Sequence, residues 1–323
     1  MDGEELYVET RLDADVADLW AATQEPDEHQ RWDLRFTDID YLPRPDESDP
    51  QRFEYATHVG FGVGVTGEGE STGETREGGV RTSALRFRSD DPKSLIAEGT
   101  GYWKYVPEDD GVRFLTGYNY RVRFGRVGRL FDRLVFRPLM VWATAWSFDR
   151  LRLWLEADVS PAASIRAAAA HAGARLGLVL VWLYAGLVPK LLGPHPEELT
   201  LAGAALPPGL GPEPAVLALG AAEVGLAGVL LVGWHRRWPL LLSAAATVAV
   251  VGAGVLARPD LLTHPLSPLP LGAAMLGLAA AGSATIEDLP RASRCITDRA
   301  DSRLPWNSGA GAAETDHVGG EAA

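Results

Sequence analysis

One cysteine, Cys295, stands in 323 residues. No disulfide can therefore form within the chain, and no multi-cysteine zinc or iron–sulfur site is expected; no metal is read from the sequence. Lysine is almost as scarce, since Lys93, Lys104 and Lys190 are the only three among 30 basic residues. The net charge is -13 and no basic cluster opens the chain. Phosphate neutralisation needs grouped Lys and Arg, so nucleic acid is not an expected partner. The first residues, Met1 to Glu5, are acidic and lack the positive and apolar regions of a secretory signal, which predicts that the first half stays in the cytoplasm.

Charge is the next thing missing, and its absence is local. Between Leu176 and Ile286 only nine of 111 residues are charged, whereas Met1 to Asp158 carries 31 acids and 20 bases, a net of -11. The average conceals a water-soluble half and a membrane half. Four uncharged stretches are candidate spans: Leu176 to Leu192 with a lead-in from Ala167, Pro214 to Gly233, Trp238 to Ala257, and about Pro265 to Ala284. Each approaches the ~20 residues that cover ~30 Å of hydrocarbon at ~1.5 Å per residue. Arg166, Arg175, Arg236, Arg237, Arg291 and Arg294 fall on one side of such a bundle, and only Lys190 and Arg258 on the other. The excess of positive residues predicts an inner (plasma) membrane protein crossing several times, with both termini cytoplasmic. The expected division is a soluble domain over 1–158, a linker over 159–166, a membrane domain over 167–287 and a disordered tail over 288–323.

In the soluble half, Leu6 and Val8 alternate with charged neighbours, and Asp13 can cap a short helix bearing Val16, Leu19 and Trp20. Four stretches then alternate with period two, as half-buried antiparallel strands do. Phe53, Tyr55, Thr57, Val59, Phe61, Val63 and Val65 share one face of a first strand; Leu85 and Phe87 lie on the second; Gly99, Gly101, Trp103 and Tyr105 on the third; Phe114, Thr116, Tyr118 and Tyr120 on the fourth. The opposite face carries Arg86, Arg88, Lys104, Arg113 and Arg121. A one-sided sheet needs a cover. Arg126 to Glu156 supplies it, with Val127, Leu130, Phe131, Leu134 and Val135 at helical spacing and a break at Pro138.

This order, with the Asp15 to Trp20 helix, the Trp32-Asp33 pair and the long closing helix, resembles the START-like (SRPBCC) superfamily of polyketide-cyclase-type and lipid-transfer domains over about residues 4–156. The resemblance implies an α+β helix-grip fold, an antiparallel sheet wrapped on a long C-terminal helix with an apolar cavity between them. The implied pocket is lined by Phe61, Phe87, Trp103, Phe114, Tyr118, Tyr120, Leu130 and Leu134. Those aromatics can equally be core filler, and Gly99 and Gly101 can leave space for a ligand or let the sheet bend. No nucleophile–base pair, paired carboxylate or metal-ligand spacing appears on this face, so catalytic residues remain unknown and the reading leans away from an enzyme. Arg126, Arg129, Arg133 and Arg137 form a basic stripe followed by Trp142, Trp146 and Trp154, suited to an anionic leaflet or to a solvated helix face.

The membrane half holds the most distinctive run, Leu180 to Glu198, with Trp182, Tyr184, Gly186 and Lys190 in sequence. Together with Glu223 and the turn at His264, it resembles the DoxX-like family of four-helix membrane proteins over about Arg175 to Glu287, although the membrane cysteines of some members have no counterpart. An ionised carboxylate at mid-bilayer is costly, so Glu223 needs a partner or a cavity. Trp182, Tyr184, Lys190, Glu223 and His264 are the candidate polar site, serving a polar ligand or merely helix packing.

The combined expectation is an all-α four-span bundle anchoring a START-like domain that binds or senses an apolar small molecule, a lipid, isoprenoid or quinone, without catalysing its conversion. A subunit of a quinone-linked membrane oxidoreductase is the alternative implied by the DoxX resemblance, and a structural docking partner of another membrane protein is a third. No cofactor motif is evident; a quinone is the one cofactor left open.

Overall fold

The computed structural model describes residues 5–46, 49–58, 64–207, 209–265 and 267–299. They divide into two compact units, 5–162 with 290–299, and 163–289.

In the first unit, strand β1 (Leu6–Leu12) leads to helices α1 (Val16–Gln24) and α2 (Pro26–Trp32). Asp15, not Asp13, occupies the position preceding α1. Six further strands follow: β2 (Asp38–Tyr41), β3 (Arg52–His58), β4 (Gly64–Glu77), β5 (Val80–Arg88), β6 (Ile96–Glu108) and β7 (Gly111–Val122). All pair antiparallel in the order β1-β7-β6-β5-β4-β3-β2. The single strand expected from Phe53 to Val65 is a hairpin: Thr57 pairs with Val65 and His58 with Gly64. An unbroken period-two pattern does not mark the turn. Phe61 lies outside the described residues.

The closing helix is built as expected but with a shifted phase. Helix α3 (Gly125–Phe131) runs into a π turn, Asp132–Phe136, and then α4 (Arg137–Ala157). The wide turn sits just before Pro138, whose missing N–H and bulky ring disfavour a regular i→i−4 bond there. A π turn adds about one residue to the helix, so the stripe of Leu130 and Leu134 falls out of line with the α4 face that meets the sheet. That face carries Phe136, Met140 and Val141 against Tyr118 and Tyr120, and further on Ala145, Phe148 and Leu151 in the main core with Trp32, Trp103, Tyr105 and Phe114. Fully buried Arg150 donates to the carbonyls of Arg31 (2.9 Å), Trp32 (2.8 Å) and Pro161 (3.0 Å), closing the C-terminal end of α2. Burial lowers its pKa to about 10, against the opposing pull of the Asp33 charge.

The expected boundaries need two corrections. Residues 159–166 are not a loose linker, because helix α5 begins at Pro161. The segment expected to open a disordered tail returns to the first unit: Ile296 and Glu9 exchange both backbone bonds (2.8 and 2.9 Å), the Arg291 amide donates to Asp149 (2.7 Å), and Cys295 is buried in the core with its thiol on the Ala145 carbonyl (3.3 Å). Its low hydropathy concealed this because most of the attachment is by backbone bonds. Burial pushes the Cys295 pKa up to about 12, which keeps the thiol protonated and unreactive.

The second unit is helical: α5 (Pro161–Gly186) ending in a π turn (Leu187–Leu191), α6 (Pro196–Ala205), α7 (Pro212–Val232), α8 (Trp238–Ala257), a 3₁₀ turn (Pro259–Leu262) and α9 (Pro268–Ala284). Among the described residues three helices, Pro161–Leu191, Pro212–Val232 and Trp238–Ala257, are long and apolar enough to cross a bilayer, and α9 is a shorter apolar helix. Leu178, Trp182, Leu226, Leu230, Leu240 and Met275 form their common core.

Candidate functional site

The rings predicted to line the interior separate into three groups. Trp103 and Phe114 are core: Phe114 stacks on Phe148 at 4.5 Å and meets Trp103 at 5.9 Å. Tyr118 and Tyr120 face the closing helix and spend their hydroxyls on it, Tyr118 with Thr144 Oγ1 (3.1 Å) and Tyr120 donating to Asp132 Oδ1 (2.6 Å). Burial and that carboxylate push the Tyr120 hydroxyl well above its ordinary pKa. Phe87 is half-buried beside this cluster. Leu130 and Leu134 are not pocket residues; they are 59% and 65% exposed, because the π turn swings their stripe off the sheet.

The strand glycines do not hold open space either. A Cβ at Gly99 would lie 2.4 Å from the Phe87 ring, one at Gly67 would lie 2.3 Å from Tyr55, and one at Gly69 would lie 2.1 Å from Phe53. Each is a cross-strand partner of that aromatic, so the rings lie flat across the glycines. Two clefts open elsewhere and are acid-lined: one of about 400 Å³ among Asp38, Asp40, Glu54, Glu68 and Asp90, the other of about 440 Å³ among Asp13, Asp15, Asp18, Asp109 and Asp110.

Sequence reasoning passed over the most concentrated chemistry of this unit. Asp33 follows α2 and is fully buried; its carboxylate accepts Arg35 Nε (2.9 Å), Arg35 Nη2 (2.6 Å) and the Arg35 amide (3.0 Å), with His29 Nε2 at 3.1 Å. The loop that presents Arg35 is tied down by Leu34 N–H on Ser147 Oγ (2.9 Å) and by Thr57 Oγ1 on the Arg35 carbonyl (2.5 Å). Burial alone would raise the pKa of Asp33, but the charge of Arg35 and the bonds from His29 and Arg35 outweigh it and hold Asp33 well below the usual carboxylate range. Burial lowers that of His29, against the pull of Asp33. Rings sheathe the set. His29 meets Trp103 (4.8 Å) and Phe36 (5.1 Å), Phe36 meets Tyr55 (5.6 Å), and the guanidinium lies over Phe36 and Tyr118, each at 5.6 Å. A fixed cation among apolar rings can orient the polar end of an otherwise apolar molecule. The signal in the sequence was His29 and Asp33 one helical turn apart, followed by Arg35.

In the helical unit, Lys190 and Glu223 come together. Gly186 and Gly220 let α5 and α7 approach so closely that a Cβ at Gly186 would lie 2.6 Å from the Gly220 carbonyl. The π turn at Pro189 then directs Lys190 inward, with Nζ 3.1 Å from Glu223 Oε2, 3.4 Å from Glu198 Oε1 and 3.0 Å from the Ala185 carbonyl. Glu223 Oε2 is buried and makes an ion contact without an aligned hydrogen bond. The other predicted members stand apart. Trp182 donates to Ser243 Oγ (2.9 Å) within the bundle core, Tyr184 is 63% exposed, and His264 lies exposed in the turn before α9. A second buried set went unrecognised: Arg175 donates to the carbonyls of Leu230 (2.7 Å) and Arg236 (2.5 Å), with its Nε 2.8 Å from His171 Nε2, and the His171 ring nitrogens lie 2.9 Å from the carbonyls of Trp234 (Nε2) and Gly282 (Nδ1). These bonds cap the C-terminal ends of α7 and α9.

These features define a membrane protein that joins an antiparallel helix-grip domain to a DoxX-like helical domain; the sequence model of the DoxX-like family matches residues 179–280. The chain is 41% identical over 235 residues to the uncharacterized membrane protein YndG of Bacillus subtilis (strain 168), covering 72% of this chain and 79% of that one. It belongs to the YndG family of membrane proteins. Among solved structures it is similar to the di-domain ARO/CYC StfQ of the steffimycin biosynthetic pathway (16% identity, TM-score 0.38, 48% of this chain and 51% of that one). It is also similar to the STAR-related lipid transfer protein of Xanthomonas axonopodis (20% identity, TM-score 0.36, 48% and 89%). The fold assignment rests on the strand order and closing helix of the chain itself.

Proposed function

We propose that the chain is a membrane-anchored, non-catalytic binder or sensor of an apolar small molecule, a lipid, isoprenoid or quinone. The rings of the sheet domain hold the apolar body and Arg35 meets its polar end. One observation carries this reading: a buried guanidinium, locked by Asp33, lies amid half-buried aromatic rings where a core would ordinarily place no charge. A farnesol analogue bearing a diazirine, photolysed with the full chain in nanodiscs, tests it. Adducts are expected on peptides carrying Phe36, Tyr55 and Phe87; adducts confined to residues 163–289 would remove the reading.

The buried Lys190–Glu223 contact favours a second reading, in which the bundle handles a quinone headgroup or a proton as part of a quinone-linked oxidoreductase with another membrane protein as partner. The proposed placement is the inner membrane, sheet domain and both termini on the cytoplasmic side. The arginine distribution supports that side. The return of Pro290–Ile296 to the sheet unit supports an even number of crossings, since a segment packed in that unit leaves the helical unit on the side where it began. Three long helices then require α9 as the fourth span, at about 25 Å for 17 residues, short enough to ask for local thinning of the bilayer.

A further inference from the structure

The start of the closing helix exposes more apolar surface than a soluble domain tolerates. Val127 is 77% exposed and Phe131 50%, and with Leu130 and Leu134 they form one arc of the helix. Arg126, Arg129 and Arg133, also exposed, fall on the flanking arc. Within α3, at ~100° per residue, Val127, Leu130 and Phe131 span roughly 40° to 140° and Arg129 and Arg126 roughly 300° to 360°, so the two sets are segregated as in a helix lying at a lipid interface. Past the π turn, exposed Leu139 and Trp142 extend the apolar surface. The unit is otherwise acidic, and this is where its bases gather: Arg126 to Asp158 holds six bases and four acids.

We infer that residues 124–142 dock on the anionic bilayer surface in which the chain is itself anchored, with the arc of Val127, Leu130, Phe131 and Leu134 in the headgroup–acyl boundary and the three arginines on lipid phosphates. Charge decides the occupant. A second copy packed symmetrically on this face would bring three arginines against three, whereas anionic headgroups complement them. The inference rests on the membrane assignment and is independent of ligand binding in the sheet domain. It also explains why the predicted pocket residues Leu130 and Leu134 point away from the sheet.

The test uses the full chain with Cys295→Ala, carrying either Leu134→Cys or, as a control on the charged sheet face, Arg86→Cys. Both positions are exposed, so neither substitution removes a core contact. Each is labelled with an NBD fluorophore and reconstituted, one chain per disc, in phosphatidylcholine alone or mixed with phosphatidylglycerol. In mixed discs the label at 134 is expected to emit further to the blue and to resist acrylamide quenching, while the label at 86 is quenched freely. The joint substitution Arg126→Gln, Arg129→Gln, Arg133→Gln is expected to lower the docked-to-undocked ratio roughly 100-fold, at about fivefold per basic residue. Equal quenching at 134 and 86 in mixed discs overturns the inference. Shielding that appears only with two chains per disc also overturns it and assigns the face to a second copy.

Discussion

Replacing Asp33 by Asn removes one charge and almost no volume, and the surroundings make the consequence large. The side chain of Asp33 is fully buried and that of Arg35 is only 10% exposed, so solvent screens little of their attraction. The amide oxygen can keep the bonds from Arg35 Nε (2.9 Å) and the Arg35 amide (3.0 Å), but the amide nitrogen then faces Arg35 Nη2 at the present 2.6 Å, donor against donor. One charge-assisted bond worth about 1.5–3 kcal/mol is lost, and a buried guanidinium is left uncompensated. Together these amount to about 3–5 kcal/mol, the usual cost of breaking a buried pair. For a unit of this size the loss corresponds to a fall in Tm of roughly 10 °C. Tryptophan fluorescence melts of the full chain in nanodiscs measure it, since Trp32 and Trp103 lie against His29. The pH dependence has a definite sign. Asp33 titrates below the usual range in the folded chain, so its contribution is fully present above the unfolded value of about 3.9 and is lost as pH falls from there through the folded pKa. Wild type should therefore lose this increment on acidification and Asp33→Asn should not. A variant melting within about 2 °C of wild type, less than 1 kcal/mol on the same scale, would refute the reasoning.

Three further outcomes follow from the packing. Gly99→Ala drives a methyl into the Phe87 ring and to 2.6 Å from the Asn119 carbonyl, and should destabilise the sheet unit by about 1–3 kcal/mol in the same melts. Lys190→Met alone should destabilise the chain in detergent by about 3–5 kcal/mol, while Lys190→Met with Glu223→Leu should recover most of it; equal losses in the single and double variants would show that the two residues are not coupled. In a Cys295→Ala background, Gly209→Cys, between α6 and α7, should react with an impermeant maleimide added outside intact cells, and Arg236→Cys, between α7 and α8, only after lysis; the reverse pattern would invert the proposed orientation.

Much of this architecture was legible in one dimension because its signals are local. The charge desert from Leu176 to Ile286 marks the helical unit, and period-two alternation through Trp103 and Phe114 marks strands and their inner face. Glu223 announced a need for a partner because burial of a carboxylate is costly wherever it occurs. Periodicity, however, says which residues share a face and not what covers it. The resemblance to helix-grip domains implied a pocket that Leu130 and Leu134 line, their helical spacing showing only that they share a face, and a π turn of five residues places them on the surface.

What required three dimensions was the meeting of residues far apart in the chain. His29 and Arg35 are unremarked polar residues, and Asp33 only half of a Trp-Asp pair, until Trp103, Tyr118 and Phe36 close around them. Glu198 joins Lys190 only after α6 folds back, and Ile296 finds Glu9 only across the whole helical unit. Composition and period determined the two solvents in which the chain must dissolve and the elements suited to each, since transfer free energy is a property of the residue. Long-range packing decided which buried charges could exist at all, because a charge without its distant partner would have cost more than burial of its neighbours returns.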